Sequence, residues 1–204
     1  MFLESLLSTP GHKESTFQML TLIVSQLNLL LCLVNDVLDI KLIKSGKFET
    51  KISIFEPIKT LRFIEDMFKP QAIIQNVTVS CHAISLDSLK TAYILNHQQE
   101  LLEFEDLPKK IRGDNLRLQQ ILINLVKNAL KFTVSGSVRV LMAFDTSEQM
   151  LNVHIVDTGK GIREEDMCKL FLLFGKLQST ASMNSEGIGM GLMICKNLVN
   201  INGG

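Results

Sequence analysis

Residues 124–133 read Asn124-Leu125-Val126-Lys127-Asn128-Ala129-Leu130-Lys131-Phe132-Thr133. Asn124 and Asn128 stand four apart and Lys131 follows three later, so on a helix all three share one face. Two amide oxygens beside an ammonium suit a hydrated magnesium ion that carries phosphates. The ordinary alternative is a polar helix face with capping roles near its end. Upstream, Leu118, Ile121, Leu122, Leu125, Val126 and Ala129 recur at helical spacing behind Asp114, a suitable cap. A helix from Asp114 through Lys131 follows, with one apolar side and one side of amides.

Two glycine-bearing segments lie further along the chain. Asp157-Thr158-Gly159-Lys160-Gly161-Ile162 comes directly after a strand predicted over Leu151 to Val156. A carboxylate at a strand end can accept a hydrogen bond from the exocyclic amine of a base, and glycines let the backbone pass beside a flat ring. By itself it is also a common turn. Gly187-Ile188-Gly189-Met190-Gly191-Leu192 precedes a helix predicted over Gly189 to Asn200. Glycines there leave backbone N–H groups facing phosphate oxygens at a helix N-terminus. A lone G-x-G-x-G is weak, and no strand leads into this one, which disfavours a dinucleotide fold. The order of the three segments is far more specific than any one of them.

Outward from these segments, Ser137 to Phe144 and Leu151 to Val156 form a hairpin about the polar turn Asp145 to Gln149. Phe48 to Phe55, Val77 to His82 and Lys109 to Arg112 also read as strands. Pro57 opens a helix to about Ile74, and Arg163 to Phe174 reads as helical. Residues 83–106 resist assignment beyond a strand remnant and a polar insertion. Residues 1–15, with Pro10-Gly11, read as loop. From Thr16 to about Lys44, Leu20, Ile23, Leu27, Leu30, Val34 and Val37 form a near-heptad seam, widened by Val24, Leu31 and Leu38, which suits a helical hairpin or dimer bundle. A single buried helix is the plainer alternative. Ser45-Gly46 ends this helix. The fold expected is α/β (α+β): a two-layer sandwich of a mixed sheet and helices, preceded by a long helix.

The 204 residues carry 21 basic and 21 acidic side chains, so the totals indicate no basic surface for nucleic acid. The four cysteines are scattered without a C-x-x-C pair, which argues against a zinc site or a disulfide framework and fits a reducing interior. No secretory signal is visible, and the most apolar run, Leu20 to Val37, is broken by Ser25, Gln26, Asn28, Asn35 and Asp36. A cytoplasmic chain is expected, although a longer parent can carry an anchor elsewhere. Arg112-Gly113-Asp114 leads into a helix, where Asp114 serves better as a cap than as part of a receptor-binding triplet.

Together these segments resemble the catalytic domain of histidine kinases, in the superfamily shared with DNA gyrase, the heat-shock chaperone ATPase and mismatch-repair ATPases. Asn124 to Thr133 resembles the family's asparagine box. Asp157 to Ile162 resembles its first glycine box, and Gly187 to Leu192 its second. Phe171 to Phe174 is similar to the phenylalanine box at the base of an ATP lid over residues 175–186. Val34 to Asp39 and Lys44 to Phe48 resemble the second dimerisation helix and its exit. The resemblance implies three parts: a loop or hairpin remnant over 1–15, a dimerisation segment over 16–46, and an ATP-binding domain over 47–204 without the family's last strands. It further implies that Asn128 ligates Mg2+ with Asn124 in support, and that Lys131 contacts phosphate. Asp157 would read the adenine amino group and Gly159 and Gly161 would line the base, with Ile162, Phe174 and Leu192 also in the implied cofactor site. Gly187, Gly189 and Gly191 would close over the phosphates of ATP. The implied partners are a receiver domain of a response regulator, an acceptor-histidine hairpin and a second copy of the chain in a homodimer.

Two features set this chain apart. The hydrolysing cousins carry glutamate four residues before the magnesium asparagine; here the position holds Asn124, which cannot act as a general base. Transfer to a protein side chain is thereby favoured over hydrolysis. The acceptor box, a histidine with an acidic neighbour and a following proline, is not found. His12, His82, His97 and His154 read as structural or solvent-exposed. The acceptor would thus come from outside the chain; a degenerate kinase that only binds nucleotide or partners is the alternative.

Overall fold

A computed structural model of the protein describes residues 45–92, 107–171 and 191–204, with residues 16, 19, 20, 23, 24, 27, 30, 31, 34, 35 and 38–43 of the segment before them. Every described residue from 16 to 43 is helical, in agreement with the near-heptad reading. Its seam residues Leu20, Ile23, Val24, Leu27, Leu30, Leu31, Val34 and Leu38 are 48% to 60% exposed. The helix ends in a turn at Ser45 and Gly46, where Gly46 takes a left-handed φ of 67°.

The remainder is an α/β unit. Strand β1 (Ser53–Phe55) is followed by α1 (Pro57–Gln75), β2 (Val77–Ala83) and α2 (Leu86–Ala92). Then come β3 (Ile111–Gly113), α3 (Asn115–Phe132), the hairpin β4 (Gly136–Asp145) and β5 (Met150–Asp157), α4 (Glu164–Met167) and α5 (Gly191–Ile201). β1 and β3 pair antiparallel as a small ribbon. The main sheet has the order β2-β4-β5, with β2 parallel to β4 and β4 antiparallel to β5, so it is mixed.

Strand alternation sorts the sheet's faces. Val77, Cys81, Val138, Val140 and Met142 point into the main core with Leu61, Ile64 and Phe68 of α1 and Leu122, Val126 and Leu130 of α3. Burying one such side chain stabilises by about 1.5–3 kcal/mol, so this layer carries most of the fold's apolar burial. Leu141 and Ala143 face the other way and are covered by Ile84 and by Leu89 of α2. On that far face His82 and His154 pair across from either side of Leu141. α5 packs on α3 and buries Ile194, Cys195 and Leu198.

Two expected elements differ in extent, and one helix appears where none was assigned. The strand over Phe48 to Phe55 is reduced to Ser53–Phe55, because Lys51 donates its N–H to Asp114 (2.7 Å) and Phe48 lies under the Arg117 guanidinium. These residues bind the start of α3 instead of a neighbouring strand. The helix over Arg163 to Phe174 is observed only as Glu164–Met167, followed by turn residues to Phe171, with residues 172–174 outside the described set. Met167 and Phe171 stay about half exposed, so no burial extends the helix. Within the unassigned region lies α2, whose first turn is held by Ser85 Oγ accepting from Ser88 N at 3.1 Å.

Candidate nucleotide site

α3 owes its start to Asp114: one carboxylate oxygen accepts from Arg117 N (3.2 Å) and the other from Lys51 N. Leu122, Val126, Ala129 and Leu130 then anchor the helix to the sheet. The opposite side carries the amides. Asn124 is buried, whereas Asn128 and Lys131 are half-buried on the same face one and two turns later. What covers Asn124 is the first residue of α5. A Cβ on Gly191 would lie 3.4 Å from Asn124 Oδ1 and 3.5 Å from its Cγ, an ordinary contact, so the α5 backbone rests directly on the amide. Leu192 beside it is half-buried.

The loop after β5 docks on the other end of α3. Asp157, the last residue of the strand, is exposed, and its Oδ1 accepts from Gly159 N at 2.9 Å. Lys160 N reaches the carbonyl of Phe132 at 3.4 Å. A Cβ on Gly159 would stand 2.6 Å from that carbonyl and 2.7 Å from Asp157 Oδ1, so a side chain there has no room. Gly161 has φ 71° with open space about it, and Ile162 is 52% exposed. Gly161 thus faces open space, and Asp157 presents an exposed carboxylate.

Some contributors escaped the sequence reading. Thr158 pins the loop to the next strand: its N–H donates to Ser137 O (3.1 Å) and its Oγ1 accepts from Ser137 N (2.9 Å). Gly136, at φ 114°, makes room for that hydroxyl. Lys160 stands with Lys131 at Phe132, each ammonium 5.4 Å from the ring centroid, so two positive charges gather at the end of α3. The lysine within Asp157 to Ile162 was the available signal. After the loop, buried Asp166 accepts from Arg163 Nη2 (3.0 Å) and Lys169 Nζ (3.2 Å), which staples the short α4. Phe171 lies under Lys196 Nζ of α5 at 5.4 Å.

Asn124, Asn128, Lys131, Asp157, Gly159, Gly161, Ile162, Gly191 and Leu192 are thus all described; Gly191 abuts α3 at Asn124 and Gly159 abuts it at Phe132. Phe174, Gly187, Gly189 and the expected lid over 175–186 lie outside the described residues, as do His12 and His97. The donor set fits a nucleotide with its magnesium ion: hard amide oxygens, ammonium groups, and open space at Gly161. Among the described residues no group of His, Cys, Asp and Glu forms an all-protein metal cage, and no helix is long and apolar enough to cross a membrane.

Residues 113–204 match the family of histidine kinase-, DNA gyrase B- and HSP90-like ATPases, and this part of the chain has that family's ATPase fold. The chain is 30% identical over 97% of its length to two-component system protein A of Emericella nidulans, spanning 26% of that protein. It is 34% identical over 87% of its length to the signal transduction histidine-protein kinase BarA of Escherichia coli K12, spanning 17% of it. The chain therefore spans about a quarter or less of the curated relatives it matches. Among solved structures, full-length ShkA in complex with AMPPNP superposes with a TM-score of 0.63 at 25% identity, over 84% of this chain and 30% of that one.

Proposed function

We propose that this chain binds Mg-ATP around α3 and transfers the γ-phosphoryl group to a histidine supplied outside it, as one stage of a two-component phosphorelay. The observation that carries the reading is the convergence of three sequence-distant segments on one helix, with Gly191 against Asn124 and Gly159 against Phe132. In this reading Asp157 accepts from the adenine amine, and Gly159, Gly161 and Ile162 line the base. Asn128 holds magnesium with Asn124 behind it. Lys131 and Lys160 face phosphate, and Phe174, Gly187, Gly189 and Leu192 complete the enclosure. Magnesium supplies neutralisation of charge on the phosphates. Asn124 offers no base to activate water, which favours a protein acceptor. The relatives named as two-component and histidine-kinase proteins support a receiver domain as the next partner. The half-exposed seam on the N-terminal helix supports a homodimer, with residues 16–46 as the dimerisation segment and 47–204 as the ATP-binding domain.

Calorimetry with and without magnesium, followed by labelled ATP plus a separate hairpin bearing an acceptor histidine, tests the reading. Magnesium-dependent binding that Asn128→Ala makes magnesium-independent is expected, with acid-labile label on the hairpin and none on the chain alone. Label on the chain that disappears in His12→Ala would make it a self-phosphorylating kinase. Binding without transfer would leave a nucleotide-binding module. Steady hydrolysis without any phosphoprotein would assign it to the ATPases.

A further inference from the structure

Asp39, in the last turns of the N-terminal helix, is 3% exposed, although its helix neighbours Leu38 and Leu42 are 52% and 38% exposed. α3 is what buries it. Arg117 Nη1 donates to Asp39 Oδ2 at 2.5 Å, and Gln120 Nε2 donates to the same oxygen at 2.8 Å. Arg117 Nη1 also reaches Gln120 Oε1 at 2.8 Å, and the guanidinium lies 4.7 Å over the ring of Phe48 from the junction. At this point the helix meets the α/β unit through a carboxylate, while its adjacent leucines remain in water.

That choice of contact has a mechanical consequence. An apolar seam resists separation in proportion to its area. A buried ion pair is close to break-even against water but strongly directional, so it selects a pose more than it glues two parts together. The junction fits the same idea: Gly46 turns the chain at positive φ, and residues 47–52 belong to no strand or helix. Arg117 and Asn128 lie on one helix, eleven residues and about 16 Å apart, so a tilt at Arg117 displaces the asparagine face with it.

We propose that Asp39, Arg117 and Gln120 form a docking latch that sets the pose of the α/β unit on its own N-terminal helix, and that opening it repositions the nucleotide site. Asp39 and Arg117 are positioning residues; neither lies among the residues assigned to nucleotide. The consequence for phosphotransfer rests on the function proposed above, whereas the latch itself does not.

The test uses the full chain with bio-orthogonal spin labels at the exposed positions Lys41 and Thr146. A single narrow distance is expected in the parent, and a broadened or shifted one in Asp39→Ala and in Arg117→Ala. The swapped pair Asp39→Arg with Arg117→Asp should narrow it again. ATP affinity should stay within about twofold, as for independent sites, while transfer to a separate acceptor hairpin changes by about tenfold or more at saturating ATP. Unchanged distances in both single variants overturn the latch. So does loss of the cooperative melt in either, which would make the pair core structure, and so does a swap that restores nothing. A chain that binds no ATP sinks the proposed function and leaves the distances to decide the latch.

Discussion

At Asp157 a partly buried strand ends on an exposed carboxylate, one oxygen of which is already held by Gly159 N. In the proposed site that group meets the amine of adenine. Asp157→Asn should weaken adenine-nucleotide binding by about 1–3 kcal/mol, because the base amine loses a charged acceptor. Calorimetry measures this, and unchanged affinity would remove Asp157 from the site. At this scale much was readable from the chain. Asn124, Asn128 and Lys131 share a face because 3.6-residue periodicity is a local property. Asp157 ends its strand because alternation stops there. Burial was not readable: Asn124 is shielded by the α5 backbone, which comes from more than sixty residues away in sequence.

Asp114 governs the start of α3, and with it the direction in which the amide face points. Its carboxylate serves two backbone donors, Arg117 N in its own helix and Lys51 N from the segment before β1. Asp114→Ala removes the cap and leaves the Lys51 N–H without this acceptor, so a loss of about 2–3 kcal/mol in urea unfolding is expected. A change near zero would mean that water replaces both bonds at no cost. The cap was legible from sequence; the second bond was not, since nothing local links positions 51 and 114. α2 was not read from the sequence: among its described side chains Leu89 is the one deeply buried apolar residue, too little for a periodic signal. α4 erred in the opposite direction. Its apolar residues imitate a helical stripe, yet Met167 and Phe171 remain about half exposed.

For the molecule as a whole, the far face of the sheet links stability to pH. Burial holds the His82 pKa below its ordinary 6.5, against the attraction of Glu65 and with a smaller push from Arg139. Between that lowered value and 6.5 the unfolded chain binds more protons, so stability rises with pH through this window and falls on acidification below about 6.5. His82→Gln should flatten that part of the profile in thermal or urea melts. An identical slope in the variant would assign the dependence to other groups. Cys81 on the same strand has its thiol pushed up to about 12 by burial, with Glu65 and Asp66 adding to the effect, so it stays protonated and inert near neutrality.

The chain by itself determined the order of elements around the site, the mixed α/β class and the residue types available to a nucleotide. Each of these depends on local periodicity, capping and turn chemistry, which act over a few residues. Only the tertiary structure decided that β2 lies parallel beside β4, that Gly159 is sterically required by the Phe132 carbonyl, and that Asp39 is buried by Arg117 and Gln120. Those outcomes depend on contacts between distant positions. Their energies exist only once packing of α1 and α3 on the sheet has brought the chain together.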